Sequence, residues 1–162
     1  MTDAASLSER EILLFKIGGA RYGLLSADVH ELIRAVAIVS LPRAPVIVEG
    51  LINLRGRVVP VLDIRSRFGA PKKPLEPSDH MIVAFAGTGL VAIRVDQATE
   101  LVRLDERHIE AAKRIAPGIE HVAGVARLPD GLVLIHDLRT FLTEAEALAL
   151  NEALGSGPRA VS

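Results

Sequence analysis

Short apolar runs of strand length, separated by glycine, proline and polar turns, fill most of this 162-residue chain. Glu11 to Ile17 (EILLFKI) is such a run. Gly18-Gly19 turns it into a second, Arg21 to Leu25, and the pair predicts a hairpin. Ser26 offers an N-cap and Asp28 a first-turn acid. Val29, Leu32, Ile33 and Val36 recur at helical spacing, so a short helix is expected there. Ala37 to Leu41 reads as a strand that Pro42 and Pro45 stop. Val48 to Leu54 and Arg57 to Leu62 predict a second hairpin turning at Arg55-Gly56, where Gly56 supplies a positive φ. Pro60 cannot donate to a ladder and marks an edge or a bulge.

Gly69 to Asp79 (GAPKKPLEPSD) is rich in proline and charge and reads as a linker. The plan then repeats. Met81 to Ala86 and Leu90 to Val95 are strands around Gly87-Thr88-Gly89. DQATELVRL stands where DVHELI stood in the first half. The stretch from Asp105 to His121 holds either a short helix in ERHIEAAKR or an extended crossing, ended by Pro117-Gly118. Val122 to Arg127 and Leu132 to His136 form the last hairpin, turning at Pro129-Asp130-Gly131. Thr143 and Glu146 make a capping box for a C-terminal helix over 143–155, which Gly155 stops. Residues 1–8 and 156–162 are expected to be disordered.

The repetition is explicit between GLINLRGRVVPVLDIR at 50–65 and GVARLPDGLVLIHDLR at 124–139, which align without a gap. Leu54/Leu128, Val59/Val133, Val61/Ile135 and Arg65/Arg139 keep their character. A duplicated, mostly β chain follows: lobe one over about 10–69, the linker over about 69–79 and lobe two over about 80–142. The connections are too short for the helical crossovers of a parallel sheet, so small barrels fit best.

Composition narrows the function. At 49% apolar the chain buries a sizeable core; with 3% aromatics that core is Val, Ile, Leu and Ala. A net charge of −1 gives no field to draw nucleic acid or anionic lipid. No cysteine is present, which removes disulfides and thiol catalysis and fits a reducing cytoplasm. The polar start MTDAASLSER shows no signal peptide, and no apolar run spans a bilayer. A soluble cytoplasmic protein is expected.

Asp63 and Asp137, one per lobe, invite comparison with a proton-sharing carboxylate dyad. An Arg two residues after each would instead keep both ionised, and each Asp reads better as the cap of the short helix behind it. The histidines at 30, 80, 108, 121 and 136 have no i, i+4 pair and no cysteine partner, so no metal site is expected. No serine elbow or phosphate loop is present. Arg55, Arg57, Arg65 and Arg67 form a local basic group. It could face nucleic acid, but stacking aromatics are missing apart from Phe68; it reads as solubilising charge or as a protein-binding edge with Arg as anchor.

Over residues 10–150 the motifs resemble the CheW family of bacterial chemosensory adaptors. The resemblance rests on Gly50-Leu51-Ile52-Asn53-Leu54-Arg55-Gly56, Val58-Val59-Pro60-Val61 and Asp63-Ile64-Arg65. Tyr22-Gly23, Val29-His30-Glu31-Leu32-Ile33, Leu41-Pro42, Ala44-Pro45, Val95-Asp96, Gly124-Val125-Ala126 and Asp137-Leu138 add to it. It implies two SH3-like five-stranded β-barrels around a common core, with no enzymatic activity, cofactor or metal. It implies an adaptor, cytoplasmic and recruited to membrane-associated receptor arrays, between the regulatory domain of a CheA-type histidine kinase and the cytoplasmic tip of methyl-accepting chemoreceptors. That tip would lie in the groove between barrels. By the same resemblance Arg55 is the coupling arginine, Asn53 and Gly56 shape its hairpin, and Val29 falls at a partner-binding position that periodicity alone puts in the core. Ala92, where many members have Gly, is a departure. A non-flagellar chemosensory pathway, such as surface motility, is the alternative setting; a nucleic-acid-binding barrel is a third reading.

Overall fold

The computed structural model describes residues 9–86, 89–111 and 122–156, which form eleven strands and one α-helix. In chain order the strands are β1 (Glu9–Ile17), β2 (Ala20–Leu25), β3 (Val29–Arg34), β4 (Val48–Leu54), β5 (Arg57–Leu62), β6 (His80–Ala86), β7 (Gly89–Val95), β8 (Gln97–Asp105), β9 (Ile109–Ala111), β10 (Val122–Leu128) and β11 (Gly131–His136); the helix α1 spans Glu144–Ser156. Two sheets result. Sheet one runs β8-β1-β2-β11-β10-β9, and sheet two runs β3-β6-β7-β5-β4.

The duplication shows directly in these orders. Replacing β8, β1, β2, β11 and β10 by β3, β6, β7, β5 and β4 turns sheet one into sheet two. The parallel contacts correspond as well: Ile135 faces Gly23 in one sheet, and Val61 faces Ala92 in the other. Even the irregularities match. A bulge falls between Leu14 and Phe15 where β8 pairs, and another between Val29 and Glu31 where β3 pairs. Beyond these five strands β9 adds a sixth to sheet one, and its counterpart in sheet two shrinks to the single bridge Val39–Leu51. The strand expected at 37–41 is therefore one bridging residue.

The sheets do not divide at the linker, as lobes over 10–69 and 80–142 would. β1 and β2 sit in sheet one, but β3 to β5 cross to sheet two; β6 and β7 sit in sheet two, but β8 to β11 cross to sheet one. Each sheet is completed by the other half of the chain. This crossing also explains the misread helix at Val29 to Val36. The segment is β3, an edge strand on β6, with Val29, Glu31 and Ile33 partly shielded and His30, Leu32 and Arg34 exposed. Its local helical spacing yields to the open edge of β6, because strand pairing depends on context more than on intrinsic preference. DQATELVRL is the matching edge strand, β8, on β1.

Three apolar clusters hold the molecule. Ile12, Leu14, Ala126, Val133 and Ile135 fill the inside of sheet one's lobe. Ile52, Val59, Val61, Met81, Val83 and Ala92 fill that of sheet two. Between the lobes lies the largest cluster, with Leu13, Phe15, Ile17 and Leu24 from one side, Leu62, Ile82, Ala84, Val91 and Ile93 from the other, and Phe141, Leu150 and Ala153 from the C-terminal segment. Successive residues of β1 and β6 thus alternate between a lobe interior and the shared core. Strands buried on both faces read as unbroken apolar runs, which is why EILLFKI and MIVA show no alternation.

Of the expected crossing at 105–121, Glu106–His108 is a 3-10 turn leading into β9, and 112–121 lie outside the described residues, as do 1–8, Gly87-Thr88 and 157–162. The capping box forms: the Glu146 amide donates to Thr143 Oγ1 at 3.1 Å and the Thr143 amide donates to Glu146 Oε1 at 2.9 Å.

Candidate functional site: the Arg55 hairpin and its supports

β4 and β5 pair in register to Leu54–Arg57, leaving Arg55 and Gly56 as a two-residue turn. Both have positive φ, 50° and 85°, as a type I′ turn requires. Gly56 adopts this freely. An arginine does not, and a side chain with a Cβ in the left-handed region carries backbone strain of roughly 1–3 kcal/mol. Asn53 braces the turn, its Oδ1 accepting the Gly56 amide at 2.7 Å. The Arg55 guanidinium stands 69% exposed and donates through Nη2 to Glu31 Oε1 on β3. The hydrogen bond from Arg55 holds the Glu31 carboxyl below the ordinary range. His30 Nε2 lies 3.7 Å from the same carboxylate, and the His30 ring meets Phe85 edge-on with centroids 5.4 Å apart. A strained, braced arginine, Glu31 on an edge strand and a half-exposed Phe85 thus share one surface.

Val29 lies two residues before Glu31, half-buried against the shared core and opposite Ala84. It stands at the start of the same strand as Glu31; the helical spacing that put it in the core does not hold, and pairing with β6 leaves it half-buried instead. Glu31 was hidden from sequence reasoning by the helix assignment. Its signal was the alignment of D-x-x-E-L with D-x-x-x-E-L in the second half, which pairs Glu31 with Glu100. There the arrangement is indirect: Arg21 lies 4.0 Å from Glu100 and 2.9 Å from Asp130 at the β10–β11 turn.

The four arginines grouped in the sequence separate in space. Arg55 and Arg57 are exposed. Arg65 is 2% exposed and pairs with Asp96 at 2.5 Å. Arg67 pairs with Glu146 at 2.5 Å and donates to the Phe141 carbonyl. No four-arginine patch exists for a polyanion, and two of the four tie the lobes and α1 together.

Asp63 and Asp137 each precede a 3-10 turn, Ile64–Phe68 and Leu138–Thr140, and accept the amide two residues on, from Arg65 and Arg139, both at 3.1 Å. Asp105 does the same for Arg107 at 2.9 Å. A third Asp-x-Arg with this geometry marks the motif as a turn device. Among the described residues no group of His, Asp or Glu could hold a metal ion, and no helix is long and apolar enough to cross a membrane.

Comparison with known proteins agrees with this architecture. A family model described as a CheW-like domain matches residues 11–146. The chemotaxis protein CheW of Rhizobium meliloti is 28% identical over 153 residues, covering 90% of this chain and 97% of the relative. FrzA of Myxococcus xanthus is 28% identical over 130 residues, covering 76% and 78%. The crystal structure of the scaffolding protein TtCheW from Thermoanaerobacter tengcongensis superposes with a TM-score of 0.75 at 30% identity, over 85% of this chain and 94% of that one. Two SH3-like lobes, an internal duplication and a family match across most of the length lead to one assignment: this chain belongs to the CheW-like family of chemotaxis scaffold domains.

Proposed function

We propose that this protein is a non-enzymatic adaptor that couples a CheA-type histidine kinase, through its regulatory domain, to the cytoplasmic tips of methyl-accepting chemoreceptors. In this role it works in the cytoplasm and is recruited to receptor arrays. The observation that carries the reading is Arg55. A guanidinium held on a turn braced by Asn53, still 69% exposed while it donates to Glu31, carries backbone strain that a glycine or asparagine would avoid; strain of this kind concentrates where a side chain must meet a partner. Arginine is also the cation best suited to planar, bidentate protein contacts. Gly56 and Asn53 then act by fixing Arg55. Val29, half-buried at the head of the Glu31 strand, is the apolar neighbour of that contact. No turnover is involved, and the output is simultaneous binding of two partners. Similarity both to proteins named for chemotaxis and to FrzA suits an adaptor whose pathway is set by its partners, so a non-flagellar chemosensory system is the second setting.

The test is titration of the purified protein against the regulatory domain of a CheA-type kinase from the same organism. Saturable one-to-one binding is expected, weakened tenfold or more by Arg55→Glu if the hairpin faces the kinase. Unchanged kinase binding with lost receptor binding would move Arg55 to the receptor side. Absence of binding to every cognate kinase by folded wild type would overturn the proposal.

A further inference from the structure

Each sheet is built from both halves of the chain, and this has a consequence for association. β1 and β2 need β8, β10 and β11 to complete their lobe, and β6 and β7 need β3, β4 and β5. Neither half contains a closed sheet. All the seams that join the halves — β1 to β8, β2 to β11, β3 to β6 and β5 to β7 — are main-chain ladders, and the shared core is assembled from both sides of them. The only covalent link between the halves is the crossover from Gly69 to Asp79.

That crossover carries two opposed features. Pro71, Pro74 and Pro77 favour an extended, semi-rigid path, which over eleven residues reaches on the order of 30 Å. Against this, a buried arginine clasps it closed. Arg94, 2% exposed, donates to the Lys73 carbonyl at 2.7 Å and the Pro74 carbonyl at 3.5 Å, and is paired with Glu49 at 2.6 Å and Asp79 at 3.1 Å. Burial opposes the charge on Arg94; Glu49 and Asp79 outweigh it and hold the guanidinium charged. Leu75 packs on the interior cluster of sheet two.

We propose that a second copy of this chain is a competent partner through exchange of halves. Residues 9–68 of one copy complete residues 80–156 of the other, giving a dimer in which both double lobes are shared between chains. Exchange reuses every seam of the monomer, so it requires no new surface, and only the crossover distinguishes the two forms. In the single chain, tethering supplies a high effective concentration of the missing half, and the Arg94 clasp adds to it. A crossover that is stiff or too short shifts the balance to the dimer, since strained hinges favour swapping. The exchanged dimer presents two Arg55 hairpins on one particle.

Intragenic complementation tests this with full-length chains. A Cβ at Gly50 would lie 2.2 Å from the Val39 carbonyl oxygen, and one at Gly124 would lie 2.8 Å from that of Glu110. Gly50→Val damages only the first half and Gly124→Val only the second. Co-expressed with different tags, they are expected to co-purify one to one at about twice the 17.3 kDa of a single chain, with part of the β-sheet signal recovered that neither variant gives alone, because one of the two double lobes carries neither substitution and the other carries both. Failure to recover the pair, beside a well-expressed wild type, overturns the proposal. A chain lacking residues 72–77 provides a second readout by light scattering: a dimer is expected, and a folded monomer at every concentration would equally overturn it.

Discussion

Arg65 and Asp96 lie 31 residues apart in the chain and meet across the lobes, Arg65 Nη2 to Asp96 Oδ1 at 2.5 Å. Arg65 comes from the turn after β5, Asp96 from the turn between β7 and β8. The duplication supplies a counterpart: Arg139 follows β11, Asp28 precedes β3, and Asp28 adds to the stronger hold of Asp137 on Arg139. The first pair is a buried ion pair, whereas the second is only a longer-range attraction at the surface, where Arg139 bonds Asp137 instead. The buried one has gathered further donors, because Asp96 also accepts the Gly18 amide at 2.8 Å and lies 3.6 Å from Lys73. Asp96 is thus a junction of β1–β2, β5, the crossover and β8.

Acid should act through this junction. Burial pushes the Asp96 carboxyl up, but the hydrogen bonds from Arg65 and Gly18 and the charge of Lys73 outweigh it, and its pKa is held below the ordinary value of 3.8. A depressed folded pKa means the contribution is complete above the unfolded pKa and is lost as pH falls through the folded one. Stability should therefore decline below about pH 4. Asp96→Asn should lower stability at pH 7 and flatten that acid limb. Chemical denaturation from pH 7 down to 2.5 measures both, and an unaltered acid limb in the variant would remove Asp96 as its source.

The glycines that open the two repeated motifs should differ from the turn glycine. Gly50 and Gly124 sit at bulges where a crossing segment passes close by: Val39 over one, Glu110 over the other. Gly50→Ala should cost on the order of 3 kcal/mol, since backbone atoms on the crossing segment must move. Gly56→Ala meets nothing within 4 Å and should cost only about 1 kcal/mol for its positive φ. Urea midpoints for the two variants would establish the order.

Arg55→Asn separates stability from binding. Asparagine tolerates the left-handed region, so the variant should melt a few degrees higher than wild type while losing partner affinity. Thermal melts beside the kinase titration give both numbers. A variant that melts lower would show that the Glu31 contact outweighs the strain of the turn.

Removal of the α1 cap offers a control at a distance from the hairpin. Thr143→Ala deletes the acceptor of the Glu146 amide and should cost about 1 kcal/mol. Kinase binding should be unchanged once the protein is folded, and denaturation with titration checks the pair of outcomes.

Hairpins, turns and caps were legible in the sequence because short-range chemistry decides them. Arg55-Gly56 and Pro129-Asp130 turn where expected, and Thr143 and Glu146 cap each other. The helix at Val29 failed for the opposite reason. Six residues with two possible periodicities take whichever state an open edge offers, and the β6 partners lie from 46 (Arg34 to His80) to 55 (Val29 to Ala84) residues away. The local basic group likewise dissolved once Asp96 and Glu146 claimed Arg65 and Arg67.

By itself the sequence determined the hairpin strands, their turns, the duplication and the family, since each is written in apolar periodicity, turn residues and a gapless repeat. The tertiary structure alone decided which strand joins which sheet. The two repeats are alike, so β3 carries a similar pattern for β1 and β6, and pattern cannot choose between like edges. Closure around one shared core makes that choice, and with it places Glu31 beside Arg55, Asp96 beside Arg65 and Arg94 over the crossover.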